Sequence, residues 1–244
     1  MELTVTLLRG IPAALLTGVY STLILLVSAT RGCKAADPLV FAWSRWVLWC
    51  AGLETMAKGL EHMPSRGFVL VANHQSYFDP MILFRYIQQH MRYLAKWELS
   101  RIPIFGQAMV WSGNICVRRD KKSDQGVIEE AAKRIHAGTN IGFFAEGSRS
   151  VDGKLKPFKK GAARVAIAAQ VPILPVAMAG VREAWPRDKL RIRKAKATLV
   201  MGEPISTEGL TSEDVDALTA RVQAAVAQLL REGEVLLKEW EQKK

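Results

Sequence analysis

Two residues five apart, His74 and Asp79, hold the first chemistry that this sequence offers. They lie in the stretch Asn73-His74-Gln75-Ser76-Tyr77-Phe78-Asp79-Pro80, between the apolar runs Phe68-Val69-Leu70-Val71-Ala72 and Met81-Ile82-Leu83-Phe84-Arg85-Tyr86-Ile87. The first run reads as a fully buried strand and the second as a helix. Asp79 followed by Pro80 reads as the helix start, a carboxylate N-cap and then a proline where no amide donor is needed. His74 then belongs to a strand-to-helix loop beyond the carboxyl end of a strand, where open α/β sheets place their chemistry. A separation of five is poor for two side chains on one helix face. A loop closing onto the helix start can still bring Asp79 to one imidazole nitrogen and leave the other free. A base oriented in this way is the core of a catalytic dyad. The plainer alternative is a helix cap beside a loop histidine, so the pair needs support from elsewhere in the chain.

A second polar cluster supplies it. Ile141-Gly142-Phe143-Phe144 reads as a strand, and Glu146-Gly147-Ser148-Arg149-Ser150 follows it at the same edge of the sheet as His74. Glycine lets backbone approach a ligand closely, and a planar arginine suits a phosphate bidentately. Lys96, and Arg119 at the end of Asn114-Ile115-Cys116-Val117-Arg118-Arg119, add cations that can converge on the same place.

The elements that must position these residues are legible as a pattern. A length of 244 residues suits one α/β domain with an appendage. Residues Gly10 to Ala29 form an uncharged apolar stretch, long enough for a bilayer, followed at once by Arg31 and Lys34, which the positive-inside tendency places on the cytoplasmic side. Trp43, Trp46 and Trp49, spaced by three around Arg45, then read as an interfacial helix, the alternative being a helix that packs its tryptophans into the core. Residues 1–57 are thus expected to anchor the chain, and 58–244 to form the domain. In that domain Val127, Ile128, Ala131, Ala132 and Ile135 mark a helix capped by Ser123-Asp124. A small-residue helix follows Gly161, and Pro172–Met178 reads as a strand at an edge or end position because of its prolines. Ala197–Met201 reads as a last strand, and Thr211-Ser212-Glu213-Asp214 opens an amphipathic helix running to about Trp240. Strands alternating with helices predict an α/β fold with a mostly parallel sheet.

Composition narrows the partners. A formal net charge of +11 and a pI near 9.8 with mean hydropathy +0.06 point to an anionic membrane surface, a phosphate-bearing substrate or a nucleic acid. The apolar amino-terminal stretch argues against the last. Three scattered cysteines, Cys33, Cys50 and Cys116, argue against a disulfide framework or a zinc site and fit a reducing compartment.

Four blocks in order carry a resemblance: Asn73-His74 through Asp79, Gly113 through Arg119, Glu146 through Ser150, and Val171-Pro172-Ile173-Leu174-Pro175. They match those of the glycerolipid acyltransferases, and the chain resembles the 1-acyl-glycerol-3-phosphate (lysophosphatidate) acyltransferases over roughly Gly59 to Val200. Lys96 within Ala95-Lys96-Trp97-Glu98-Leu99, and Pro157-Phe158-Lys159-Lys160-Gly161, are similar to that family's intervening segments. Ser148 stands where threonine is usual, and Cys116 and Arg118 depart from the second block. The resemblance implies the glycerolipid acyltransferase fold, a mostly parallel central sheet flanked by helices, behind an N-terminal two-helix membrane anchor. It implies His74 as general base and Asp79 as its orienting partner. Lys96, Arg119 and Arg149 would hold the acceptor phosphate, Glu146 and Gly147 would position its glycerol, and Asn73 and Ser148 would complete the binding set. No metal and no cofactor is implied; acyl-CoA or acyl carrier protein would be the co-substrate. The partners would be the lysophosphatidate acceptor and an anionic membrane surface, with the catalytic domain on the cytoplasmic face of a bacterial inner membrane. Two alternatives stay open. One is an acyltransferase of this fold acting on glycerol-3-phosphate or a lyso-ornithine lipid. The other is a non-catalytic basic membrane protein that only binds lipid.

Overall fold

The computed structural model describes residues 2–118, 125–187, 189 and 191–243. Its centre is a seven-stranded sheet in the order β1-β7-β6-β2-β5-β3-β4. The strands are β1 (Leu53–Lys58), β2 (Val69–Ala72), β3 (Met91–Lys96), β4 (Ile115–Val117), β5 (Asn140–Phe144), β6 (Ile173–Ala179) and β7 (Ala195–Met201). Every pairing is parallel except β6 with β7, so the mostly parallel sheet expected from the alternating pattern is present. β2 lies in the middle, buried throughout, because its apolar side chains point alternately to two cores. Leu70 and Ala72 join the first core, and Val69 and Val71 the second. The first is covered by α1 (Glu2–Arg31), α2 (Asp37–Ala51), α3 (Asp79–Tyr86) and α4 (Phe105–Trp111); the second by α5 (Gln125–His136), α6 (Gly161–Ala169) and α8 (Val215–Gln242). A single turn, α7 (Val181–Ala184), joins β6 to β7.

The α5 stripe behaves as its spacing predicts, with Ile128, Ala131, Ala132 and Ile135 buried; the Ser123-Asp124 cap lies outside the described residues. Ahead of α8, Thr211 and Asp214 form a capping box. The edge or end position expected for the proline-bearing strand is corrected, because β6 is central. Pro175 is tolerated where the β7 ladder stops. Val176 pairs with Met201, and the next bridge, Ile173 with Ile205, comes after a gap.

The amino-terminal helices are part of this architecture. Among the described helices one, Leu3–Arg31, is long and apolar enough to cross a membrane. It lies along the domain: Thr6, Ala13, Ser21, Ile24 and Ser28 are buried on one face, a three-four spacing that continues through nearly the whole helix. Arg9 Nη1 donates to the Ala51 carbonyl at 3.1 Å, and Trp43 Nε1 to Thr17 Oγ1 at 3.1 Å. The expected two-helix anchor is corrected to one helix. α2 has 15 residues, too few to span, and buries Val40, Trp43, Val47, Leu48 and Ala51 in the core. Its three tryptophans divide: Trp43 goes inward, while Trp46 and Trp49 stay exposed and meet edge to face at 5.8 Å. The line drawn between residues 57 and 58 falls inside β1, whose six residues pair with β7.

Candidate active site

β2, β5, β3 and β6 run in the same direction, so the loops after Ala72, Phe144, Lys96 and Ala179 leave from one edge of the sheet. The loop after β2 turns back on itself around Asp79. His74 Nδ1 lies 2.6 Å from Asp79 Oδ2. The backbone N–H groups of Gln75 and Ser76 donate to the same oxygen at 2.6 and 2.8 Å. Asp79 is therefore not the helix cap that the sequence suggested. Phe78 takes the N-cap position with no side-chain cap bond, and Pro80 needs no acceptor. The carboxylate is left to close the loop and orient the imidazole. Asp79 is fully buried and the His74 side chain is 20% exposed, so the pair is reachable only from the imidazole side. His74 Nε2 has no protein hydrogen-bond partner among the described residues. The ring is stacked on Phe144, 4.1 Å between centroids at 20°, which fixes its second plane of rotation.

The turn after β5 is fastened to His74 from both sides. The His74 N–H donates to Glu146 Oε1 at 2.7 Å, and the Ser150 N–H donates to the His74 carbonyl at 2.8 Å. Glu146 Oε2 accepts from the Lys156 N–H at 3.0 Å. Glu146 is buried, and burial pushes its carboxyl pKa up, with the hydrogen bonds from His74 and Lys156 pulling the other way. Gly147 sits at φ +71°, where a Cβ would press on Lys159 Cε at 2.7 Å. Its freedom serves the turn itself.

Arg149 leans over this loop, its guanidinium carbon 3.4 Å from the centroid of the Tyr77 ring. Its Nη1 is buried with no hydrogen-bond partner. A stacked guanidinium with an unsatisfied donor beside an imidazole is fit to receive an anion. Lys156 Nζ donates to the Arg149 carbonyl at 2.8 Å and to Ser148 Oγ at 3.2 Å, and Arg187 Nη1 donates to the same carbonyl at 2.8 Å. The backbone that carries Arg149 is thus held by two further cations.

The structure gathers His74, Asp79, Glu146, Gly147, Ser148 and Arg149 at one place. Two residues that the resemblance assigns to substrate, Asn73 and Glu146, make their hydrogen bonds to the protein's own backbone. Asn73 is 1% exposed and binds β6, with Nδ2 donating to the Met178 carbonyl at 2.9 Å and Oδ1 accepting from the Met178 N–H at 2.8 Å. It clamps the loop to the sheet, with both polar atoms of its amide engaged. Glu146 likewise spends both oxygens on backbone N–H groups. Lys96 ends β3 at the same edge, two strands away, and its ammonium pairs with Glu98 at 2.9 Å. Arg119 lies outside the described residues. Tyr77, Phe144 and Lys156 were not singled out from sequence. Tyr77 stood inside the His74 loop, and its two-residue distance from Asp79 was the available signal.

One edge of a three-layer α/β protein thus carries an oriented imidazole and a stacked arginine with an unsatisfied donor, an arrangement able to move a proton beside an anion. Residues 54–179 match the family model described as Acyltransferase, and the chain belongs to that family. It is 32% identical over 184 residues to 1-acyl-sn-glycerol-3-phosphate acyltransferase alpha of Ovis aries, covering 74% of this chain and 64% of that protein. The Homo sapiens protein of the same name is also 32% identical over 184 residues, with 74% and 65% covered. The chain thus spans about two thirds of the length of these curated relatives. The crystal structure of the 1-acyl-sn-glycerophosphate (LPA) acyltransferase PlsC from Thermotoga maritima superposes with a TM-score of 0.80 at 24% identity, over 95% of this chain and 96% of that one. The fold is therefore the one expected.

Proposed function

We propose that this protein transfers an acyl group from an acyl thioester, carried on coenzyme A or acyl carrier protein, to the 2-hydroxyl of 1-acyl-glycerol-3-phosphate, giving phosphatidic acid at a membrane. The observation that carries this reading is the 2.6 Å contact between His74 Nδ1 and the fully buried Asp79, on an imidazole whose side chain stays 20% exposed. Asp79 fixes the tautomer with the proton on Nδ1 and stabilises the imidazolium that forms. His74 Nε2 takes the hydroxyl proton as that oxygen attacks the thioester carbonyl. The tetrahedral adduct then expels the thiolate, which recovers the proton from the imidazolium, so protons balance over the cycle. The acyl donor is already activated, and direct transfer depends mainly on positioning, without an acyl-enzyme or a metal. Arg149, stacked on Tyr77 with Nη1 unsatisfied, supplies the grip on the acceptor phosphate.

The test is acyl transfer by purified protein with a panel of acceptors and both donor types. His74→Ala is expected to lower turnover by about a hundredfold or more with the fold intact. Arg149→Ala is expected to raise the KM for lysophosphatidate more than that for the donor, with lysine rescuing only in part. Turnover near wild type in folded His74→Ala protein would end this mechanism. An equal rate with glycerol-3-phosphate or a lyso-ornithine lipid would move the acceptor.

A further inference from the structure

The large apolar side chains that stay exposed are concentrated. Of twenty among the described residues, eight lie on α1 and two are Trp46 and Trp49 of α2, but six come from the β3–β4 connection: Trp97, Leu99, Ile102, Ile104, Val110 and Trp111. A soluble face of this size does not leave six large apolar residues in a stretch of fifteen unless something covers them. The backbone there is also unusual. Ile104 has φ +63° and ψ −58°, and the Phe105 N–H donates to the Pro103 carbonyl at 2.7 Å, a γ-turn of the rare strained kind. For a β-branched residue this conformation is an outlier, and it sits on a side chain that is 47% exposed. The turn is held by backbone bonds, Gly106 N–H to the Ile102 carbonyl at 2.8 Å and Ala108 N–H to the Ile104 carbonyl at 2.9 Å, while its large apolar side chain is held outward at the tip. The position invites a function.

We infer that the segment Trp97–Trp111 is a second lipid-inserted element, which sinks into the same leaflet as the outer face of α1. Continuity argues for lipid as the occupant. α4 packs against α1, so the outward Val110 and Trp111 adjoin the exposed apolar stripe of the membrane-length helix. The flanks carry interfacial chemistry: the Arg118 guanidinium lies 4.8 Å from the centroid of the Trp97 ring, with Lys96 and Arg101 nearby in sequence. Aromatic rings and basic side chains at the ends of an apolar segment match the headgroup level of a bilayer. The segment follows directly from β3, whose end shares the edge with His74, so lipid held there lies beside the candidate site. This inference does not depend on the acyl-transfer reading.

The experiment reads position and not activity. In full-length protein with Cys33, Cys50 and Cys116 replaced by serine, a nitroxide is attached to cysteine introduced by Ile104→Cys, Trp111→Cys or Val235→Cys. Each variant must melt within a few degrees of the parent, and each is reconstituted in vesicles of phosphatidylcholine and phosphatidylglycerol. Collision with oxygen reports hydrocarbon, and collision with a water-soluble nickel chelate reports water. At 104 and 111 the nickel collision rate is expected to be about fivefold or more below that at 235, an exposed site on α8, with oxygen access raised. Nickel access at 104 equal to that at 235 would overturn the inference. Exclusion of both agents, with spin–spin broadening between copies, would also overturn it by assigning the face to a second protein molecule.

Discussion

At the scale of single residues, the site rests on polar groups whose hydrogen bonds go to the protein's own backbone. Asn73 is the clearest. Its amide makes both hydrogen bonds to Met178, and removing it strands a buried N–H and a buried carbonyl. Asn73→Ala is expected to cost about 2–4 kcal/mol of stability, measured by chemical denaturation in detergent, because unpaired buried groups cost more than the bonds they lost. Glu146 carries a pH signature. Its folded pKa is raised by burial, so the native state holds a proton at pH values where the unfolded chain has released it. Its contribution to stability is therefore fully present below the ordinary glutamate pKa and is lost as pH rises through the raised value. Glu146→Gln is expected to remove that dependence: the difference in melting temperature between variant and parent should change across this window and be flat above it. A difference independent of pH would mean that the group titrates as it does in the unfolded chain. His74 and Asp79 were legible in sequence because a loop-borne imidazole and a carboxylate at a helix start are local facts. The role of Asn73 was not, because its partner is 105 residues away.

At the scale of elements, the same division holds. β2 and the α5 stripe were readable from apolar periodicity alone. β1 was not, because Leu53-Glu54-Thr55-Met56-Ala57-Lys58 carries charges at both ends and is mostly only partly buried. It is a strand because β7 supplies its ladder. The tryptophans of α2 gave one signal for two environments, and the packing of Thr17 and Phe105 against Trp43 separates them. The β3–β4 connection is the element whose local strain can be tested directly. Ile104→Gly removes the clash of a β-branched side chain at positive φ. In detergent the variant is expected to be more stable than the parent by about 1 kcal/mol, after the added entropy of glycine in the unfolded state is subtracted. A loss of stability would show that the isoleucine side chain does structural work which its exposure hides.

At the scale of the whole molecule, the question is whether the amino-terminal helices are an attachment or a part of the fold. Asp37, at the start of α2, receives Arg92 Nη2 at 2.6 Å on one oxygen and His90 Nδ1 at 2.7 Å on the other. Arg92 is 1% exposed and also donates to the carbonyls of Cys33, Met91 and Ser112. One buried guanidinium thus ties the turn between α1 and α2 to the start of β3 and to the turn before β4. Such a cluster is costly to break from one side: Arg92→Met is expected to destabilise by about 3–5 kcal/mol, since the buried Asp37 loses its arginine partner and three backbone carbonyls lose a donor. The same geometry decides where the chain can be cut. A chain starting at residue 58 loses β1 up to Ala57, the ladder that completes β7, and the α2 residues Val47, Leu48 and Ala51, each 3% exposed or less. It opens the first core to water along its length, so it is expected to be insoluble or to lack a cooperative melt. A chain starting at Gly32 keeps α2, β1 and the Asp37 cluster and loses only the outer helix, and it is expected to melt cooperatively in detergent while releasing from vesicles more readily than the full chain. Circular dichroism melts of the two shortened proteins separate the cases. A cooperative melt of the chain from residue 58, at a temperature near that of the full protein, would show that the helices are an attachment and that the core closes without them.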